Sequence, residues 1–133
     1  MNPHTDRRVA AWTPALVQAG LQRCTDQRAL TSGMPVTSAE ARAARADRMA
    51  DIAEREARWW TVLARWTYAQ AYLPGGVPLV FGRAVLRTFD DRTDQARMLR
   101  HAAADFRARA EGRPVCPFIG CGCGGSGDCG VAA

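Results

Sequence analysis

The first run of helically spaced apolar residues begins after Thr13. Threonine is a favoured N-cap, and Pro14 suits the first position of a helix because its missing N–H would have no partner there. Val17 and Cys24 lie on one side of the segment, which ends near Gly33. The pattern predicts a helix over about 14–32, with Cys24 as a small core residue.

A second and longer helix is predicted from about 39 to 72. Thr37 and Glu40 have the spacing of a capping box, and nothing breaks a helix over the next thirty residues or so. Its first half, 39–57, carries a thin stripe of alanines among charges. Its second half carries large side chains, which include Trp59, Trp60, Leu63, Trp66, Tyr68 and Tyr72. We expect the second half to form the core and the first half to lie at the edge. A stacking platform for nucleic-acid bases is the other interpretation of the tryptophans.

The segment LPGGVP at 73–78 has the composition of a turn. The pattern over 78–89 fits either a short helix or a hairpin. A further helix is expected to restart at 91–94, because residues 96, 99, 103, 106 and 110 form a one-sided apolar stripe that stops at Gly112. The sequence therefore predicts an all-α body of three to four helices over 1–112 and a separate Cys/Gly-rich tail over 113–133.

Composition places the chain among globular proteins. It has 133 residues, and 47% of them are hydrophobic. The net charge is +5, and its 18 basic residues are all arginine. No apolar secretion signal precedes residue 13, and 66–82 is too short and too interrupted to span a membrane. These features predict a cytoplasmic protein with no membrane partner. The long helix offers a surface for homo-oligomerisation.

The tail contains the most specific chemistry. Cys116, Cys121, Cys123 and Cys129 lie within fourteen residues, among many glycines. Four thiolates complete the tetrahedral shell of a structural zinc ion, so zinc is the predicted cofactor. An iron–sulfur cluster needs the same ligands and is a less favoured alternative. Two disulfides or enzymatic modification of the tail peptide also remain open.

The segment CGCGGSGDCG resembles the zinc-binding tail motif of the SecA translocation ATPase and the SEC-C group. In that motif a CxC pair is followed by GSG and a further ligand, which implies that Cys121, Cys123 and Cys129 bind zinc. Cys129 is followed by glycine rather than by a second ligand, so Cys116 would have to complete the set. In that group the module docks protein partners, which is what the resemblance implies here.

Three weaker candidates lie in the helical body. His101 is a candidate extra metal ligand. Arg45, Arg48 and Arg55 fall close to one helix face and are candidates for nucleic-acid contact, although neighbouring carboxylates dilute this stripe. The DDxxD pattern at 90–94 resembles the aspartate-rich motif of terpene synthases, but acidic residues are also favoured at a helix start, which is the interpretation we adopt.

Together these features predict a small non-enzymatic interaction or accessory protein, of the kind that phages and mobile elements encode. Its tail would bind zinc and dock a protein partner. A nucleic-acid-associated zinc protein is one alternative. The other is the precursor of a ribosomally made modified peptide, with 1–112 as leader and 113–133 as core.

Overall fold

Three helices account for most of the described chain. The computed structural model describes residues 13–113 and 115, and within them α1 covers Pro14–Ser32, α2 covers Ala39–Ala71 and α3 covers Leu79–Ala110. No strand occurs among these residues. The predicted all-α class is confirmed. The four cysteines of the predicted knuckle and Trp12 lie outside the described residues.

The helix ends follow local capping chemistry. Thr13 caps α1, as predicted: its hydroxyl accepts a hydrogen bond from the Leu16 amide at 3.3 Å. The predicted cap of α2 is wrong by one residue, because Ser38 and not Thr37 holds the extended cap conformation and accepts from the Ala41 amide at 3.0 Å. Glu40 is therefore the second residue of the helix, one position too early for a capping box built on Ser38.

Helix α3 is continuous over its whole length. The predicted restart at 91–94 is wrong, and so is the hairpin considered for 78–89, because one helix runs through both segments. Aspartate disfavours a helix interior by less than about 1 kcal/mol per residue. Packing of α3 along α2 outweighs that cost, so the acidic cluster lies in mid-helix rather than at a helix start.

Helix α2 lies between the other two helices and runs antiparallel to both. Gly20 of α1 lies against Trp59, while Met34, just after α1, receives a long contact from the Arg48 guanidinium. Gly82 near the start of α3 lies against Tyr68 near the end of α2. Both α1 and α3 therefore pack on α2.

The core between α2 and α3 is an alanine seam. We use this name for the buried alanines of the two helices, which are Ala43, Ala46, Ala50, Ala53, Ala57 and Ala64 of α2 with Ala96, Ala103 and Ala108 of α3. The α2 members are spaced by three and four residues in alternation and then by seven, which is the heptad spacing of helices that pair along their length. Such small side chains allow two helix backbones to approach closely.

The expectation that the body is built around the second half of α2 is therefore wrong. The fully buried positions concentrate in the alanine-rich first half, whereas Trp59, Trp60 and Trp66 are only half-buried. An indole does not fit into a seam made by close backbones, so the aromatic rings lie beside it. Two of them cover glycines: a Cβ at Gly20 would overlap the Trp59 ring, and one at Gly82 would lie 2.9 Å from Tyr68 Cζ.

Candidate functional site

Helix α3 closes cleanly before the cysteine tail. Gly112 has a φ of 68°, its amide donates to the Arg109 carbonyl, and the Arg113 amide donates to the Ala108 carbonyl. These two bonds form a Schellman motif, in which a glycine takes the left-handed conformation just after the helix. The helix ends at Ala110, and Gly112, the stop that the sequence predicted, lies four residues before Cys116.

The last turns of α3 are tied to the first half of α2 by charge. Arg100 forms ion pairs with Asp47, at 3.2 Å, with Glu54, at 3.1 Å, and with Asp51. Arg107 pairs with Asp47 as well. The hydrogen bond that Arg100 donates to Asp51 is the main cause of a raised pKa for Arg100, so its guanidinium stays charged at all physiological pH values. These ion pairs link the C-terminal turns of α3 to the first half of α2.

His101 lies beside an acidic residue that the sequence did not single out. Its Nε2 is 3.5 Å from Asp105 Oδ2, one helical turn further on, and the two side chains are 11% and 20% exposed. Asp105 Oδ1 is buried without a hydrogen-bond partner in the described part of the chain. A histidine that ligates a metal commonly has its second nitrogen held by a carboxylate. Within 13–113 and 115, however, no group of three or more histidine, cysteine or acidic side chains could hold a metal ion.

The three candidate arginines do not form a free basic stripe. Arg48 contacts Met34 Sδ at 3.7 Å, and Arg55 donates to the side-chain oxygen of Gln27 at 2.8 Å. Both therefore face the α1 side of α2, while Arg45 is half-buried. Two of the three guanidinium groups that the nucleic-acid hypothesis needs, those of Arg48 and Arg55, therefore already contact α1 or the loop after it.

Cys24 is a core residue, as predicted. It is 2% exposed, and burial followed by the nearby Glu56 carboxylate raises the pKa of its thiol. A raised pKa keeps the thiol protonated and unreactive at neutral pH. Cys24 therefore serves as an internal control for experiments on the tail cysteines.

The turn between α2 and α3 exposes a group of apolar side chains, which we call the apolar tip. It consists of Tyr72, Leu73, Leu79, Val80, Phe81 and Leu86, and their exposed fractions range from 39% to 82%. The contacts of α1 described above reach α2 only between Arg48 and Trp59. The hairpin of α2 and α3 therefore extends beyond them, and its end exposes apolar residues that sequence analysis had assigned to the core, to a turn, or to a short helix or hairpin over 78–89.

The same end of the hairpin carries only positive charge. Residues 62–89 contain no aspartate or glutamate, and their three arginines, Arg65, Arg83 and Arg87, are all exposed. None of the three forms an ion pair within the described residues. The absence of carboxylates was visible in the sequence. Its meaning depends on the fold, which brings the end of α2 and the start of α3 together at one end of the hairpin.

Comparison with known proteins adds no functional information. No family model matches the chain, and neither a curated protein nor a solved structure shows significant similarity to it. None of the helices among the described residues combines the length and apolar character that crossing a membrane requires.

Proposed function

We propose that this chain is a non-enzymatic interaction protein of the cytoplasm, in which a helical body carries a C-terminal zinc knuckle that docks a protein partner. The ligands would be Cys116, Cys121, Cys123 and Cys129. The observation that carries the proposal is the closed end of α3: the body completes its own core and caps its last helix before the first of these cysteines.

A closed body leaves the tail to supply its own folding energy. The tail over 113–133 is short and rich in glycine, so it is too small to build a stable hydrophobic core of its own. Four thiolates around one ion would provide that energy, because binding of a structural metal is coupled to folding of the loop that holds it. A reducing compartment would keep the thiols available. The likeness to the SecA and SEC-C tail motif further supports zinc and a protein partner.

The ion pairs of Arg100 and Arg107 support a presenting role for the body. They fix the C-terminal turns of α3 against Asp47 and its neighbours on α2. A knuckle that follows α3 after a few residues would therefore be held close to a rigid support, which lowers the entropy lost when a partner binds.

Metal content of the purified protein tests the zinc proposal. We expect one zinc ion per chain in the wild type and loss of zinc in each of four variants, Cys116→Ser, Cys121→Ser, Cys123→Ser and Cys129→Ser. Cys24→Ser is the matched control and should keep its zinc, because Cys24 is buried between α1 and α2. Absence of zinc from the wild type, or an iron-containing brown protein, would contradict the proposal.

Circular dichroism separates the knuckle from the body. A chelator should leave the far-ultraviolet helical signal unchanged, because the alanine seam contains no metal ligand. Partner proteins that bind the wild type should no longer bind after chelation, and they should not bind the Cys121→Ser variant. They should still bind the Cys24→Ser variant. Retention that is unaffected by chelation would show that the tail does not dock the partner.

A further inference from the structure

The apolar tip surrounds the end of the α2–α3 hairpin instead of forming a stripe on one side. Leu79, Val80 and Phe81 are consecutive, so their side chains point about 100° apart around α3. Their exposed fractions are 42%, 64% and 55%, and Tyr72 and Leu73 across the turn are 82% and 53% exposed. A protruding end that is apolar over most of its circumference suits a medium that encloses it rather than a groove that covers one face.

Positive charge lies just behind this end. At a rise of about 1.5 Å per residue, Arg83 is roughly 6 Å and Arg87 roughly 12 Å along α3 from Leu79. Along α2, Arg65 lies about as far from the turn as Arg87 lies along α3. Amphipathic elements that bind a bilayer surface bury apolar side chains about 5–10 Å into the boundary between headgroups and acyl chains, and basic side chains then meet anionic headgroups.

From this arrangement we infer that the hairpin end docks on the surface of a lipid bilayer that carries anionic headgroups. The apolar tip enters the interface, and Arg65, Arg83 and Arg87 contact the headgroups. The sequence predicted no membrane partner because no segment can span a bilayer, but docking at the surface requires no span. The inference does not depend on the zinc knuckle, which follows the opposite end of α3.

Other occupants match the surface less well. A second copy of the chain would bring two sets of three arginines together with no carboxylate between residues 62 and 89 to compensate them. A nucleic acid would pair with the arginines but would leave Leu73 and Val80 in water. An acidic protein would need a pocket that encloses Leu79, Val80 and Phe81 in three directions around one helix, whereas a bilayer interface encloses them without a shaped partner.

Sedimentation of the full chain with vesicles tests the inference. We expect binding to vesicles of phosphatidylcholine mixed with phosphatidylglycerol, and little binding to phosphatidylcholine alone. Binding should weaken as salt is added, because surface charges are screened over about 10 Å at 0.1 M salt. Equal binding to both kinds of vesicle, or no binding to either, would overturn the inference.

Matched variants assign the binding to the tip. Val80→Asp and Phe81→Asp should abolish vesicle binding. Met98→Asp should not, although Met98 is 54% exposed on the same helix. Arg83→Gln and Arg87→Gln should each weaken binding about fivefold. Arg97→Gln makes the same change of net charge away from the tip and should have little effect.

Three further outcomes discriminate between explanations. If Met98→Asp or Arg97→Gln lost as much vesicle binding as the tip variants, the inference would be overturned, because the change in net charge alone would then explain the loss of binding. A dimer that dissociates in Phe81→Asp, with no vesicle binding by the wild type, would identify a second copy as the occupant. The four tail Cys→Ser variants should bind vesicles normally, so failure of the zinc proposal leaves this result unaffected.

Discussion

Glu56 joins all three helices through one carboxylate. It lies on α2 with its side chain 6% exposed, and its Oε2 accepts from Arg28 of α1 at 2.8 Å and contacts Arg92 Nε of α3 at 3.1 Å. A carboxylate buried without partners would be costly, so the two guanidinium groups are what make its position tolerable. They also connect α1 to α3, which otherwise pack on α2 rather than on each other.

Replacement of Glu56 should therefore destabilise the fold. In Glu56→Gln two arginines lose their counter-charge, and we expect a loss of about 1–3 kcal/mol in the free energy of unfolding. A fully buried pair would cost more, but the arginine side chains are 30% and 34% exposed. Asp94→Asn is the control, because the Asp94–Arg97 pair is exposed and should contribute less than about 1 kcal/mol. Urea denaturation measures both, and equal midpoints for the two variants would contradict this account.

At the scale of elements, the pairing of α2 with α3 depends on small side chains. Ala50 and Ala53 of α2 and Ala103 of α3 are each 0% exposed. Their close packing gives the hairpin its stability with little apolar area per residue, and dispersion between well-packed atoms compensates for the small side chains. The half-buried aromatic residues then cover the sides of the seam.

An enlarged side chain in the seam should push the two helices apart. We expect Ala50→Leu to destabilise the protein by about 1–3 kcal/mol, the usual cost of overpacking a core. Ala44→Leu introduces the same side chain at an exposed position of the same helix and should change stability little. Thermal denaturation of both variants provides the measurement. A neutral Ala50→Leu would mean that the helices are not in close contact there.

At the scale of the whole molecule, α2 is the hub and α1 is the less firmly held partner. The α2–α3 seam extends from Ala43 to Ala64 of α2 and includes Gly82 near the start of α3. Helix α1 is held by the buried Val17, Gly20, Cys24 and Thr31, and by polar contacts to Glu56 and Arg55. Fewer buried apolar groups imply a lower free energy of local opening.

Native-state hydrogen exchange should reveal this order. We expect amides of α1 to exchange through an opening of lower free energy than amides in 50–57 and 96–103, which line the seam. Val17→Ala should lower the opening free energy of α1 by more than that of the seam. A single common free energy for all three helices would show instead that they unfold as one unit.

Local signals in the sequence predicted the helix ends better than the core. The Thr13-Pro14 start of α1 and the Gly112 end of α3 were identified correctly, because caps and left-handed glycines depend on a few neighbouring residues. The start of α2 was missed by one residue, since Thr37 and Ser38 are both good caps and only the turn geometry selects between them.

Some of the candidate sites could likewise be found from the sequence, and one could be found only from the fold. The cysteine spacing in the tail is a property of the sequence, and His101 was named from its residue type alone. Its neighbour Asp105 needed only helical spacing to be found, one turn away. The apolar tip could not be found from the pattern of residues, because the same leucines and aromatics would suit a core.

By itself, the sequence determined that the chain is helical, where α1 begins, where α3 ends and which cysteines could share an ion, because each of these depends on nearby residues. Only the tertiary structure decided which face became the core. The large aromatic residues predicted that the second half of α2 forms the core. The close approach of two helices favours alanine, so the alanine-rich first half was buried instead. The same packing carried α3 through 90–94 without a break, brought Arg28 and Arg92 to Glu56, and left the end of the hairpin apolar, basic and exposed.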